Sequence, residues 1–106
     1  MLQLFAIWLP GVAFLGAGLA NAIGTPATRS SFVRWGFPWW WYRVTGALEI
    51  LVAVLIVIPA TRQAGLILGA VVLTAAAVTV LRHRDYAHLA PIGGFVALIL
   101  LAAYFY

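Results

Sequence analysis

The amino-acid sequence predicts an all-α membrane protein, a four-transmembrane-helix antiparallel bundle. Three observations predict it. The chain has 106 residues, 66% of them hydrophobic and only 8% charged; an ordinary soluble domain carries about 25% charged residues, so this surface must face lipid. The apolar residues fall into four long runs, about 4–23, 40–58, 64–81 and 91–106, and a helix needs roughly 20 apolar residues to cross the hydrocarbon core. Gly24, Gly36, Pro26, Pro38, Pro59 and most of the arginines stand between the runs. One domain, residues 1–106, is the expected organisation.

The first run has no basic leader and no small-residue cleavage site, so it is expected to be a retained span. Pro10 lies inside it and is expected to kink it, and Gly24-Thr25-Pro26 ends it. The second run stops at Pro59. The connection that follows, Pro59–Gln63, is so short that the second and third spans must form an antiparallel hairpin. Pro91 suits the first turn of the fourth helix, where its missing N–H costs little. That run is the shortest and ends in the aromatic Tyr104-Phe105-Tyr106, so it reaches across with local bilayer thinning. Gly11, Gly18 and Ala22 form a small-residue stripe on the first span. Gly65 and Gly69 form another on the third, continued by Ala76. Such stripes let helices approach closely in lipid, and the third-span GxxxG is the expected seam of a homodimer. No internal repeat is evident.

All six cationic side chains are Arg, and the net charge is +4. They sit in short segments between apolar runs, which marks membrane topology rather than nucleic-acid binding. Arg29, Arg34 and Arg43 lie at the first connection and Arg82 and Arg84 at the third, with Arg62 alone on the opposite side. The positive-inside rule then places loops 24–39 and 82–90 in the cytoplasm and both termini outside. The absence of Cys removes disulfides, thiolate nucleophiles and Fe–S ligation. A redox role would need a bound carrier, a metal held by His and carboxylate, or a partner protein.

Glu49 carries most of the functional information. It is the only glutamate, set in the otherwise almost wholly apolar run Val44–Ile58. A carboxylate there costs on the order of 2.5–3.5 kcal/mol on insertion scales and marks a functional site by default. On a helix, Tyr42, Thr45 and Glu49 share a face with Gly46, Ala53 and Ile56, a pattern suited to a cavity wall. Glu49 lies roughly 12–14 Å in at 1.5 Å per residue, where a carboxyl group can serve as an acid/base. The alternative is a helix tie, with Glu49 bonded to Arg43 or to an arginine of the facing loop. Just before it, Trp35, Trp39, Trp40 and Trp41 read either as an aromatic belt at headgroup level or as a gate of rings over a cleft.

The third span ends in Arg82-His83-Arg84-Asp85-Tyr86-Ala87-His88. His83 is seven residues beyond Ala76 and prolongs the inward stripe, with Thr79 nearby. A His83–Asp85–His88–Glu49 metal set is the sharper reading and a solvated interfacial loop the plainer one; no metal site is assigned. Asn21, on the same membrane side, caps the first helix or lines the site. The candidate catalytic residues are therefore Glu49 and His83. The candidate ligand-binding residues are Arg34, Trp35, Trp39, Tyr42, Arg43, Thr45, Asn21 and Thr79.

The run Arg34-Trp-Gly-Phe-Pro38 followed by Val44-Thr-Gly-Ala-Leu-Glu49 resembles the DoxX-like family of small four-helix membrane proteins. The Pro59-x-x-Arg62 turn, the Gly-rich third helix and the Arg-His-Arg-Asp85 ending are similar too, and Phe37 departs from an expected Tyr. The resemblance implies a bundle in the bacterial inner membrane, with Arg34, Trp35, Gly36, Pro38, Thr45, Gly46 and Glu49 as motif residues. It also implies relatives in quinone-coupled thiosulfate oxidation, in oxidative-stress complexes and in receptor assembly, roles that differ in kind.

Three functions stay open from the sequence. One is an intramembrane carboxylate site for an apolar ligand with a polar head, a quinone or another lipophilic small molecule, in a redox-associated subunit or an acid/base enzyme. The second is a non-catalytic assembly or scaffold protein. The third is a proton-coupled small multidrug transporter, whose glutamate, however, belongs to its first helix.

Overall fold

The structure, a computed structural model, describes residues 2–105. Every regular element among them is helical: α1 (Leu2–Ile23), α2 (Pro26–Arg34), α3 (Trp41–Val57), α4 (Arg62–Arg82) and α5 (Leu89–Tyr104), with 3-10 turns at Pro59–Thr61 and Tyr86–His88. Three helical stretches, Leu2–Ile23, Pro59–Arg82 and Tyr86–Tyr104, are long and apolar enough to cross a membrane. The 17-residue α3 is shorter. It packs most extensively on α1 and next on α4, while α5 packs on α4 and α1. The protein measures 41 Å along its long axis, enough to exceed the ~30 Å hydrocarbon thickness.

Helix ends follow local chemistry. Thr25 caps α2, its hydroxyl accepting from the Thr28 N–H, and Pro26 takes the first turn. Arginines meet carbonyls at the ends of α1 and α3: Arg29 Nε donates to Gly24 O, just past α1, at 2.7 Å, and Arg62 donates to Ile56 O at 2.7 Å and Val57 O at 3.2 Å. Cations suit the negative ends of helix dipoles. Helix α1 continues through Pro10, which is buried.

The α1–α3 seam is made by glycine. A Cβ on Gly46 would stand 2.6 Å from Ala22 N and 2.7 Å from Gly18 O, both backbone atoms. The helices can touch there only because Gly46 and Gly18 have no side chain. The stripe expected on the first span therefore serves this contact. The third-span stripe also works inside the chain. A Cβ on Gly65 would meet Ile56 N at 2.8 Å, and one on Gly69 would meet Ile99, Val52 and Phe14. The GxxxG face expected to carry a homodimer is thus already occupied by α3 and α5. The core is Ile7, Phe14, Val52, Ala53, Ile56, Leu73, Ile99 and Ala102.

A carboxyl-lined cavity under a short helical cover

The buried face of α3 is Tyr42, Gly46, Glu49, Val52, Ala53 and Ile56, the 3.6-residue period that the sequence predicts. Glu49 is 9% exposed, the one charged residue among the buried positions described. Asn21 of α1 donates its amide to Glu49 Oε1 at 2.5 Å. No guanidinium bonds the carboxylate among the described residues. Arg43 instead donates to the Tyr42 hydroxyl and stacks over Trp39, 5.7 Å from its centroid. The expected arginine tie is replaced by an amide tie. Asn21 does not cap its helix; it joins α1 to α3.

Glu49 borders a cavity of about 570 Å³, within the range of small-molecule sites. Asn21, Thr45, Glu49 and Thr79 are polar groups of its wall. Phe14, Leu68, Val72, Leu73 and Phe95 are among its apolar lining residues, and Phe32, Trp35, Phe37 and Trp41 its aromatic rings nearer the Arg-rich side. Along α4 the lining runs from Leu68 to Val80, about 18 Å at 1.5 Å per residue. Helix α2 supplies Ala27, Thr28, Ser31 and Phe32 and so forms a cover over one end.

That cover is fastened. Arg34 Nη2 lies 2.6 Å from Asp85 Oδ2, and the Trp35 indole N–H donates to the same oxygen at 3.2 Å. His88 Nδ1 is 3.1 Å from Asp85 Oδ1, and the ring packs edge-on against Trp35 at 5.3 Å. Desolvation pushes the Asp85 carboxyl up, but His88, the Trp35 indole and the Arg34 guanidinium together hold it below the ordinary value of 3.8. Asp85 reaches this position because α4 ends in a left-handed residue. Arg84 has φ 54°, and the Asp85 N–H returns to Val80 O at 2.9 Å. On the other side of the latch, Gly36 at φ +85° turns the chain toward α3 with open space around it.

The sequence model of the DoxX-like family matches residues 5–103. The chain belongs to the DoxX-like family. No curated protein and no solved structure gives a match. In this DoxX-like protein the two halves of the motif do separate work. Arg34 and Trp35 fasten the cover, Gly36 makes the turn and Gly46 makes the α1–α3 contact. Thr45 and Glu49 line the cavity.

Of the ten residues singled out from sequence, the structure gathers five on the cavity wall: Glu49, Asn21, Thr45, Thr79 and Trp35. Arg34 stands outside it as the partner of Asp85. Tyr42 is buried on the flank, its ring against Gly24 and beneath Arg29. Trp39 and Arg43 form an exposed stack beside α3. His83 is exposed, its ring nitrogen against Thr79 O at 2.9 Å, because α4 stops at Arg82 before the stripe reaches it. Among the described residues no three His, Asp or Glu groups converge on a metal position, so His83, Asp85, His88 and Glu49 do not assemble. Sequence reasoning missed His88 and the α2 residues as lining. The Thr25-Pro26 start of α2 was the available signal.

Proposed function

We propose that this DoxX-like protein holds a lipophilic small molecule inside the membrane, with Glu49 as its polar anchor and acid/base group. One observation carries the proposal: the only buried carboxylate described borders a half-open, mostly apolar cavity instead of ending in an ion pair. Burying such a group without a full set of partners costs several kcal/mol, a cost that function explains better than packing does. Quinones and other lipophilic molecules fit the cavity's size, and a redox-associated or acid/base role fits the carboxyl. In this reading α3 is a fourth span and residues 1–106 form one antiparallel bundle of the inner membrane. Loops 24–39 and 82–90 are cytoplasmic and both termini lie outside. Asn21, Thr45, Thr79 and Trp35 are the ligand-binding residues beside Glu49.

The test is to purify the protein in mild detergent and identify copurified small molecules by mass spectrometry. Enrichment of an apolar molecule with wild type, lost with Glu49→Gln, is the expected result. No enrichment, with the two proteins alike, counts against it. A second reading, a non-catalytic scaffold, draws on the Asn21–Glu49 bond between α1 and α3. It expects Glu49→Gln to lower thermal stability and change nothing else.

A further inference from the structure

Around Glu49, most protons of the polar wall are committed to the protein itself. The Thr45 hydroxyl donates to Trp41 O at 3.1 Å and the Thr79 hydroxyl to Ala75 O at 2.8 Å, each to its own helix backbone. Asn21 spends one amide hydrogen on Glu49 Oε1. What remains toward the hollow is mainly lone pairs, those of Glu49 Oε2, Asn21 Oδ1 and the two threonine hydroxyls. The second amide hydrogen of Asn21 is the remaining donor of that group.

Charge points the same way. None of the six arginines lines the cavity. The one imidazole that does, His88, sits against Asp85 at the fastened cover. The Glu49 carboxylate therefore has no cationic partner in the wall. An uncompensated charge out of water is costly, and an opposite charge delivered by a ligand removes that cost. The faces of Phe32, Phe37 and Trp41 nearer the Arg-rich side attract cations through their ring quadrupoles.

We infer that the cavity selects a lipophilic cation bearing N–H donors, a protonated amine on a compact apolar or aromatic body, over neutral or anionic molecules of the same shape. This rests on the reading of the cavity as a ligand site and names the ligand's chemical class. The ammonium group sits between Glu49 Oε2 and the lone pairs of Thr45 and Asn21, and the apolar body lies along Phe14, Leu73 and Phe95. A carboxylate or phosphate head meets acceptors and a like charge. A carbonyl head beside Glu49 meets acceptors and one amide hydrogen.

Three probes with one ring system separate these cases: naphthylmethylamine, naphthylmethanol and naphthoate. Binding to the full chain in dodecyl maltoside is measured by equilibrium dialysis, with empty micelles as the partition control. Charge-assisted hydrogen bonds are about twice as strong as neutral ones, so the amine is expected to bind at least about tenfold more tightly than the alcohol. Naphthoate is expected not to bind above the control. Glu49→Gln is expected to remove the amine's advantage over the alcohol. Wild-type ranking alone decides the matter should that variant fail to fold. Alcohol binding as tight as the amine's, or any preference for naphthoate, overturns the cation inference and leaves the lipophilic-ligand reading standing. Binding of none of the three, together with no copurified molecule, overturns both.

Discussion

Over the same turns, Trp41 to Glu49, helix α3 meets two different environments. On its α1 side, Gly46 touches the backbone at Gly18 and Ala22 with no room for a methyl group. On the side turned to the hollow, Thr45, Leu48 and Glu49 border an open space of about 570 Å³. Further along, the hollow closes: Val52 and Ile56 are fully buried, and Gly65 and Gly69 bring α4 against them. In lipid, apolar contact with a neighbouring helix gains little over contact with acyl chains, so tight seams depend on close van der Waals packing. A helix backed this firmly can hold an expensive side chain over a void. The seam carries the close packing, and the hollow is where the proposed function places the ligand.

The largest expected effect is at the seam. Gly46→Ala puts a methyl group into the α1 backbone, and overpacking of this kind costs about 1–3 kcal/mol. Thermal unfolding in detergent should show it as a clear drop in Tm, and a variant as stable as wild type would break the comparison. Ala76→Phe, on the cavity wall, adds far more volume yet should change stability by no more than about 1 kcal/mol, because it enters empty space. Ligand binding should disappear with it. If Ala76→Phe destabilises as much as Gly46→Ala, the hollow is not one. Arg84→Gly relieves a left-handed residue and should stabilise by about 1 kcal/mol, measured in the same unfolding assay.

The fastening of α2 gives the smallest effects. Arg34→Ala removes an exposed ion pair, worth about 0.2–1 kcal/mol, and should loosen the cover more than it lowers Tm. Because the Asp85 carboxyl in the fold lies below its ordinary 3.8, its contribution is complete above that value and is lost as pH falls through the lower, folded one. The Trp35 indole N–H resonance, followed by NMR, should hold steady from neutral pH to about that ordinary value and shift only below it. A shift beginning well above that value would contradict the account.

Much of the fold was legible because apolar length and Gly/Pro punctuation are local signals. The four runs, the Pro59 break and the inward face of α3 all follow from composition and a 3.6-residue period. Glu49 was legible for the same reason, as one polar group at a core-facing position. Its partner was not. Asn21 lies 28 residues away, and nothing in a single sequence pairs them. His83 was chosen by carrying the α4 period past Arg82, but a period has no meaning beyond a left-handed stop. His88, after the turn, took the place on the wall. Tyr42 shared a face with Glu49 on a helical wheel, yet that face is wider than the cavity, and Gly24 drew the ring to the α1 flank. The GxxxG of the third span could not reveal from sequence whether its partner was another copy or the chain itself.

The central claim is that Glu49 faces an accessible hollow. Reaction of the folded, detergent-solubilised protein with a hydrophobic carbodiimide tests it, because Glu49 is the only glutamate and peptide mapping separates it from Asp85. The expected result is one adduct on Glu49 in wild type, absent in Ala76→Phe. An unlabelled Glu49 in the folded protein that becomes labelled only after denaturation would contradict the claim and leave the carboxyl a sealed tie between α1 and α3.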